Sequence, residues 1–203
     1  MDHIEKELEA GRAVILPTET VYGIFAKALD QEAVDYIYEL KRRPRDKALN
    51  LNVADEKVIR FYSKNQPGYL SKLIDSFLPG PLTIILQAND KVPDWIHSGL
   101  DTVGFRIPAH PKTLELIRKF GPLVGPSANL SGHASGTKYR AIVSEFDQVV
   151  PGIEDDDFLT GQDSTILDIS SSKARILRQG SITKADLLAQ VPELSFEEDE
   201  LPQ

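Results

Sequence analysis

Residues 40–52 read L-K-R-R-P-R-D-K-A-L-N-L-N, and the hydrophobic period changes across them. Before this stretch, Ala33, Val34, Ile37 and Leu40 recur at helical spacing behind Asp30, a good N-cap, which predicts a helix over 31–40. Pro44 fixes its own φ and disfavours helix at Arg43, so the helix has to stop here. After it, Leu49, Leu51 and Val53 alternate with Asn50 and Asn52, the period of a half-buried strand. A helix that turns straight into a strand points to an α/β fold. The turn carries five cations (Lys41, Arg42, Arg43, Arg45 and Lys47) against one acid, Asp46, in a chain of formal net charge −8. Two readings stand side by side. The cations fan out to hold a polyphosphate or similar anion, or they solvate a helix end and compensate its dipole.

Upstream, 4–10 reads as a short helix stopped by Gly11, and 13–16 (A-V-I-L) as a buried strand. That strand runs into P-T-E-T-V-Y-G at 17–23. The motif either continues the strand, since Thr and Tyr are good strand formers, or sets hydroxyls and amides where open α/β sheets bind ligands. Downstream, Asp55 opens a helix to Tyr62, and 68–77 forms another before Pro79-Gly80-Pro81. Residues 82–86 and 103–108 are strands, the second carrying Arg106. A helix from His110 to Phe120 breaks at Gly121-Pro122, and 123–125 leads into P-S-A-N-L-S-G at 126–132. Residues 132–137 read as a mobile loop, 141–146 as a helix, 163–169 and 174–177 as strands, and Thr183 caps a helix over 184–189. The irregular alternation favours an open, twisted, mixed β-sheet flanked by helices. One domain over 1–190 is expected, followed by an acidic tail, 191–203, with five acids and no base, read as disordered.

The totals narrow the function. A chain of 203 residues, 41% hydrophobic and 27% charged, has the composition of an ordinary globular domain. There is no run of about 20 apolar residues to span a bilayer, and the start lacks an apolar signal core. With no cysteine, thiolate nucleophiles and disulfides drop out, which fits a cytoplasmic protein. Net acidity argues against non-specific nucleic-acid binding by the whole surface, but it allows a confined basic cleft.

Neither a Walker loop nor a Rossmann glycine loop occurs, the four histidines are scattered, and no G-x-S-x-G elbow is present. What recurs is short donors after apolar strands (Thr18, Thr20, Ser127, Asn129, Ser131, Ser135, Ser164, Thr165), with cations in other turns and strands (Lys41, Arg43, Lys47, Arg106, Arg178). Without an evident nucleophile or base, this inventory suits catalysis by positioning and charge neutralisation, as in phosphoryl and nucleotidyl transfer. Singly, Ser127 and Asn129 could be only a turn, and Arg106 could simply pair with a neighbouring carboxylate.

Seven motifs together carry a resemblance. P-T-E-T-V-Y-G at 17–23, K-R-R-P-x-x-K at 41–47, P-G-P-L-T at 79–83, V-G-F-R-I-P at 103–108, P-S-A-N-x-S-G at 126–132, D-S-T-I at 163–166 and L-R-Q-G at 177–180 occur in the order found in the YrdC-like family of threonylcarbamoyl-AMP synthases. The match runs from about residue 5 to residue 190, and the chain resembles the short, single-domain form. The resemblance implies an open sheet with a concave, positively charged cavity. The implied reaction joins L-threonine, bicarbonate and ATP, with Mg²⁺ accompanying the ATP and no dedicated protein ligand for it. The products are L-threonylcarbamoyladenylate and pyrophosphate, and partner proteins then pass the group to adenosine 37 of tRNA.

By the same resemblance, Lys41 and Arg43 stabilise charge in the reaction. Arg43, Lys47, Thr102, Ser127, Asn129, Ser135 and Arg178 serve ATP, while Thr20, Tyr22, Arg106 and Ser164 serve threonine. Asn52 stands where many relatives carry a histidine, so it is a threonine contact that can hydrogen-bond but not take charge. The loop 132–137 is expected to close over the nucleotide. The alternative is a non-catalytic RNA-binding module using the same basic cavity, although 40–52 contains no aromatic residue for base stacking.

Overall fold

Helix caps and strand register place the basic turn at the middle of one sheet. The computed structural model describes residues 2–147 and 149–197. In chain order the elements are α1 (His3–Glu9), β1 (Val14–Leu16), β2 (Gly23–Lys27), α2 (Gln31–Lys41), β3 (Leu51–Asn52), α3 (Glu56–Tyr62), β4 (Ser63–Lys64), α4 (Leu70–Phe77) and β5 (Leu82–Ala88). They continue with α5 (Asp94–His97), β6 (Thr102–Arg106), α6 (Pro111–Phe120), β7 (Leu123–Val124), α7 (Tyr139–Val143), β8 (Thr165–Asp168), β9 (Arg175–Arg178) and α8 (Lys184–Gln190).

Caps start the helices as expected. Asp30, Asp55, His110 and Thr183 each accept the backbone N–H three residues on. α2 runs one residue beyond the expected end, and Arg42 closes it in the left-handed region at φ 50°.

The strands form one open, mixed sheet in the order β1-β2-β7-β3-β6-β5-β8-β9, with β4 paired to β5. Two pairs are parallel, β3 with β6 and β5 with β8; the others are antiparallel. β2 was not expected from the sequence. Both faces of β1 and β2 are covered: Ile15, Ile24 and Ala26 enter the larger core, while Val14, Leu16 and Phe25 pack with α1 and α6 in a smaller one. A strand buried on both sides has no polar alternation to reveal it. β3 is shorter than its alternating pattern implied, with only Leu51 and Asn52 in the ladder.

Two further contacts bear on the site. Trp95 of α5 donates its indole N–H to Ala28 O (2.9 Å), and Leu49 N–H donates to Ile96 O (2.9 Å), so α5 backs the basic turn. The tail begins later than expected: Val191 and Leu194 are buried, and Phe196 bridges to Ala174 beside β9. The rest of that expectation, 198–203, lies outside the described residues.

Candidate active site

Three guanidinium groups reach one cavity from three separate elements. Arg43 comes from the turn after α2, Arg106 ends β6 and Arg178 ends β9, and all three line a cavity of about 290 Å³. Among the described residues, Asp163 is the only acidic side chain on its wall. The cavity is therefore locally cationic in an acidic chain.

Its floor is one face of the sheet. Asn50 and Asn52, two residues apart, both face it, and in register Asn52 lies beside Arg106. Two glycines make room. A Cβ on Gly104 would lie 2.2 Å from Asn50 Oδ1, and one on Gly125 would lie 2.8 Å from Asn52 Nδ2 and 2.3 Å from Phe25 Cε1.

Arg106 is held from its own side of the floor. Its Nη2 donates to Glu19 Oε1 (2.6 Å) and Thr20 Oγ1 (2.7 Å), and Glu19 Oε2 accepts Ala109 N–H (2.9 Å). Thr18 donates to Val21 O (2.6 Å), which leaves Thr20 to donate to Thr18 across 2.9 Å. Arg106 Nε is buried without a hydrogen-bond partner. On the opposite wall Arg178 donates Nε–H to Ser164 O (2.9 Å) and Nη2–H to Ser164 Oγ (3.0 Å). Ser164 Oγ in turn lies 3.0 Å from Thr83 Oγ1. Arg43 folds back on its turn, donating to Ala48 O (2.8 Å) and Lys47 O (3.3 Å).

Lys41, expected as a catalytic cation, is placed behind the cavity wall. It does not line the cavity: its side chain is 1% exposed, and its ammonium donates to Ser127 O and Asn129 O, each at 2.5 Å. Burial, and then the charge of Arg43, lower its pKa to about 8. The reason was visible in the spacing. Lys41 lies four residues after Ile37 and seven after Val34, on the buried stripe of α2. It braces the Ser127–Asn129 turn from beneath.

The remaining expected residues divide. Ser127, Tyr22, Asn52 and Ser164 line the cavity beside the three arginines. Thr20 and Ser135 stand one bond behind the wall: Thr20 holds Arg106, and Ser135 Oγ donates to Asp163 at 3.2 and 3.3 Å. Asn129 is buried, with Nδ2 donating to Leu130 O and His133 O and Oδ1 unpartnered. Two residues are not brought to the cavity. Lys47 is exposed beyond the turn, and Thr102 opens β6 at the end away from Arg106, about 13 Å along the strand. Of the other cations in the basic stretch, Arg42 pairs with Asp147 (2.7 Å) and Arg45 with Asp35.

Four polar wall or brace residues were not picked out from sequence: Glu19, Asn50, Thr83 and Asp163. Glu19, Thr83 and Asp163 sit inside the P-T-E-T, P-G-P-L-T and D-S-T-I motifs, so motif membership was the available signal. Tyr22 is fully buried; its hydroxyl donates to Asp156 Oδ1 and accepts Asp155 N–H, both at 2.8 Å. Burial pushes this phenol above its ordinary range.

The arrangement can neutralise a multiply charged anion from several sides and grip a carboxylate at Arg106. The chain is similar to the structure of P. abyssi Sua5 complexed with L-threonine, at a TM-score of 0.87 and 35% identity, over 95% of this chain and 57% of that one. It is 39% identical over 185 residues to the threonylcarbamoyl-AMP synthase of Bacillus subtilis, covering 90% of this chain and 54% of the relative. It is 38% identical over 183 residues to a putative threonylcarbamoyl-AMP synthase of Methanocaldococcus jannaschii, covering 90% and 86%. The chain thus spans about half the length of the first two proteins and most of the third. Residues 6–180 match the Sua5/YciO/YrdC family, described as "Telomere recombination". With that match over most of its length, the chain belongs to the Sua5/YciO/YrdC family.

Proposed function

We propose that this chain makes L-threonylcarbamoyladenylate and pyrophosphate from L-threonine, bicarbonate and ATP. The observation that carries the reading is the convergence of Arg43, Arg106 and Arg178, with Ser127 and Ser164, on one cavity with a single wall carboxylate. The named relatives support it.

In this reading Arg106 takes the threonine carboxylate, using the donors that Glu19 and Thr20 leave free, with Asn52 beside it. The substrate ammonium and bicarbonate give a carbamate, one water and one proton. A carbamate oxygen then attacks the α-phosphorus and pyrophosphate leaves. Arg43 and Arg178 meet the charge that builds on the phosphates, from side chains already fixed by backbone and hydroxyl acceptors. Ser127 offers its hydroxyl at the same wall, with its carbonyl held by Lys41. Lys47, Thr102 and Asn129 drop to the periphery of this scheme.

Mg²⁺ enters with ATP as part of the substrate. Among the described residues no group of three His, Asp or Glu side chains converges to hold a metal. Asp163, as the wall carboxylate, would be the side chain to meet the cation. The product is a reactive acyl phosphate whose consumers are proteins that acylate adenosine 37 of tRNA.

The test is pyrophosphate release by the purified chain with ATP and bicarbonate. Release is expected to depend on L-threonine and to fall when L-serine replaces it. Release at the same rate without an amino acid overturns the reading.

A further inference from the structure

One strap of chain, 155–163, touches both sides of the cavity. Towards the Thr18–Tyr22 loop, Thr160 N–H donates to Glu19 O (3.0 Å), Gly161 N–H to Thr20 O (2.8 Å) and Asp155 N–H to the Tyr22 hydroxyl (2.8 Å). Towards the loop after the Ser127 turn, Asp163 accepts Ser135 Oγ–H, and a Cβ on Gly161 would lie 3.2 Å from Thr137 Cγ2. Tyr139 N–H donates to Asp156 Oδ1 at 2.8 Å.

One atom belongs to both sets. Asp156 Oδ1 accepts Tyr139 N–H and also the Tyr22 hydroxyl, each at 2.8 Å. The two rings close the triangle, with centroids 5.8 Å apart at 55°. Tyr22 lines the cavity and is fully buried, with both hydroxyl bonds made to the strap. It cannot shift without breaking them, and an unpaired buried hydroxyl is costly. The Tyr139 amide holds the acid below the usual carboxylate range, with the Tyr22 hydroxyl adding to it, so Asp156 remains an ionised acceptor at neutral pH.

We infer that Asp156 is a positioning residue that couples the amino-acid half of the site to the 135–139 loop on the nucleotide half. The inference rests on the function proposed above. A threonine packed against Tyr22 fixes the Asp155–Asp156 pair, and through Asp156 it fixes the Tyr139 amide. An ordered 135–139 loop then receives the nucleotide at a smaller ordering cost. The effect is reciprocal, as any such coupling must be.

The test titrates α,β-methylene-ATP into the full chain by calorimetry, with and without saturating L-threonine. In the wild type, threonine is expected to tighten nucleotide binding by about tenfold. Asp156→Ala should bring that ratio close to one. Asp156→Asn should keep it, because the amide oxygen still accepts both bonds. Tyr22→Phe keeps the ring but removes the hydroxyl, so it should also bring the ratio close to one, and it serves if Asp156→Ala fails to fold. A wild-type ratio of one overturns the inference alone, as does an unchanged ratio in Tyr22→Phe. Failure of the wild type to bind threonine overturns the proposed function and the inference together.

Discussion

At the residue scale, Lys41 and Arg43 sit two positions apart and do different work. Lys41 is buried with its pKa lowered to about 8, against 10.5 for a free side chain. Between those values the unfolded chain binds more protons than the folded one, so this group's contribution to stability improves as pH rises. Below pH 8 the folded state carries the whole cost of the buried charge. Relative to Lys41→Met, the wild type is therefore expected to gain on the order of 3 kcal/mol between pH 7 and 10.5. Denaturant unfolding of both proteins across that range checks it, and a flat difference would remove the depressed pKa. Arg43 instead faces the cavity. Its truncation to alanine should lower the threonine-dependent rate by roughly 10²-fold or more with the fold intact, since one lost transition-state donor costs about 2.7–4 kcal/mol.

Elements decide how much of this could be read in advance. Caps are local, so Asp30, Asp55, His110 and Thr183 announced their helices. β2 gave no alternation because the sheet is covered on both sides there. The side on which Lys41 falls is a matter of helical phase, and a row of five cations hides that phase. Thr102 and Arg106 share a strand but stand at its two ends, a distinction that motif membership does not make. Glu19 lacked a partner on paper because Arg106 and Ala109 lie far along the chain. Gly125 shows what strand packing demands here: Gly125→Ala would press a methyl group into Phe25 and Asn52. It should destabilise by about 1–3 kcal/mol, and in the pyrophosphate assay it should weaken threonine use by displacing Asn52. Wild-type stability and rate in that variant would show that the floor can yield.

At the scale of the molecule, strand order was the part that sequence could not supply. Arg43, Arg106 and Arg178 meet because β6 lies between β3 and β5, while β8 pairs with β5 and carries β9 beyond it. That registry is set by long-range packing, not by any one motif. The resulting site is assembled from segments spread between residues 18 and 178, so filling it should stabilise the whole chain. At about 100 times its dissociation constant, the nucleotide analogue or threonine alone should add about 2.7 kcal/mol. For a chain of this size that is a rise of roughly 5–10 °C in melting temperature. Thermal melts with each ligand alone and with both together would measure it.

The protein also carries its own optical probe for such work. It has one tryptophan, and Trp95 sits on α5, tied by its indole to Ala28 and one residue from the carbonyl that holds Leu49. Emission excited beyond the tyrosine band therefore comes from a single known spot behind the basic turn. Any disturbance of that turn, by ligand or by mutation, can be followed there without attaching a dye.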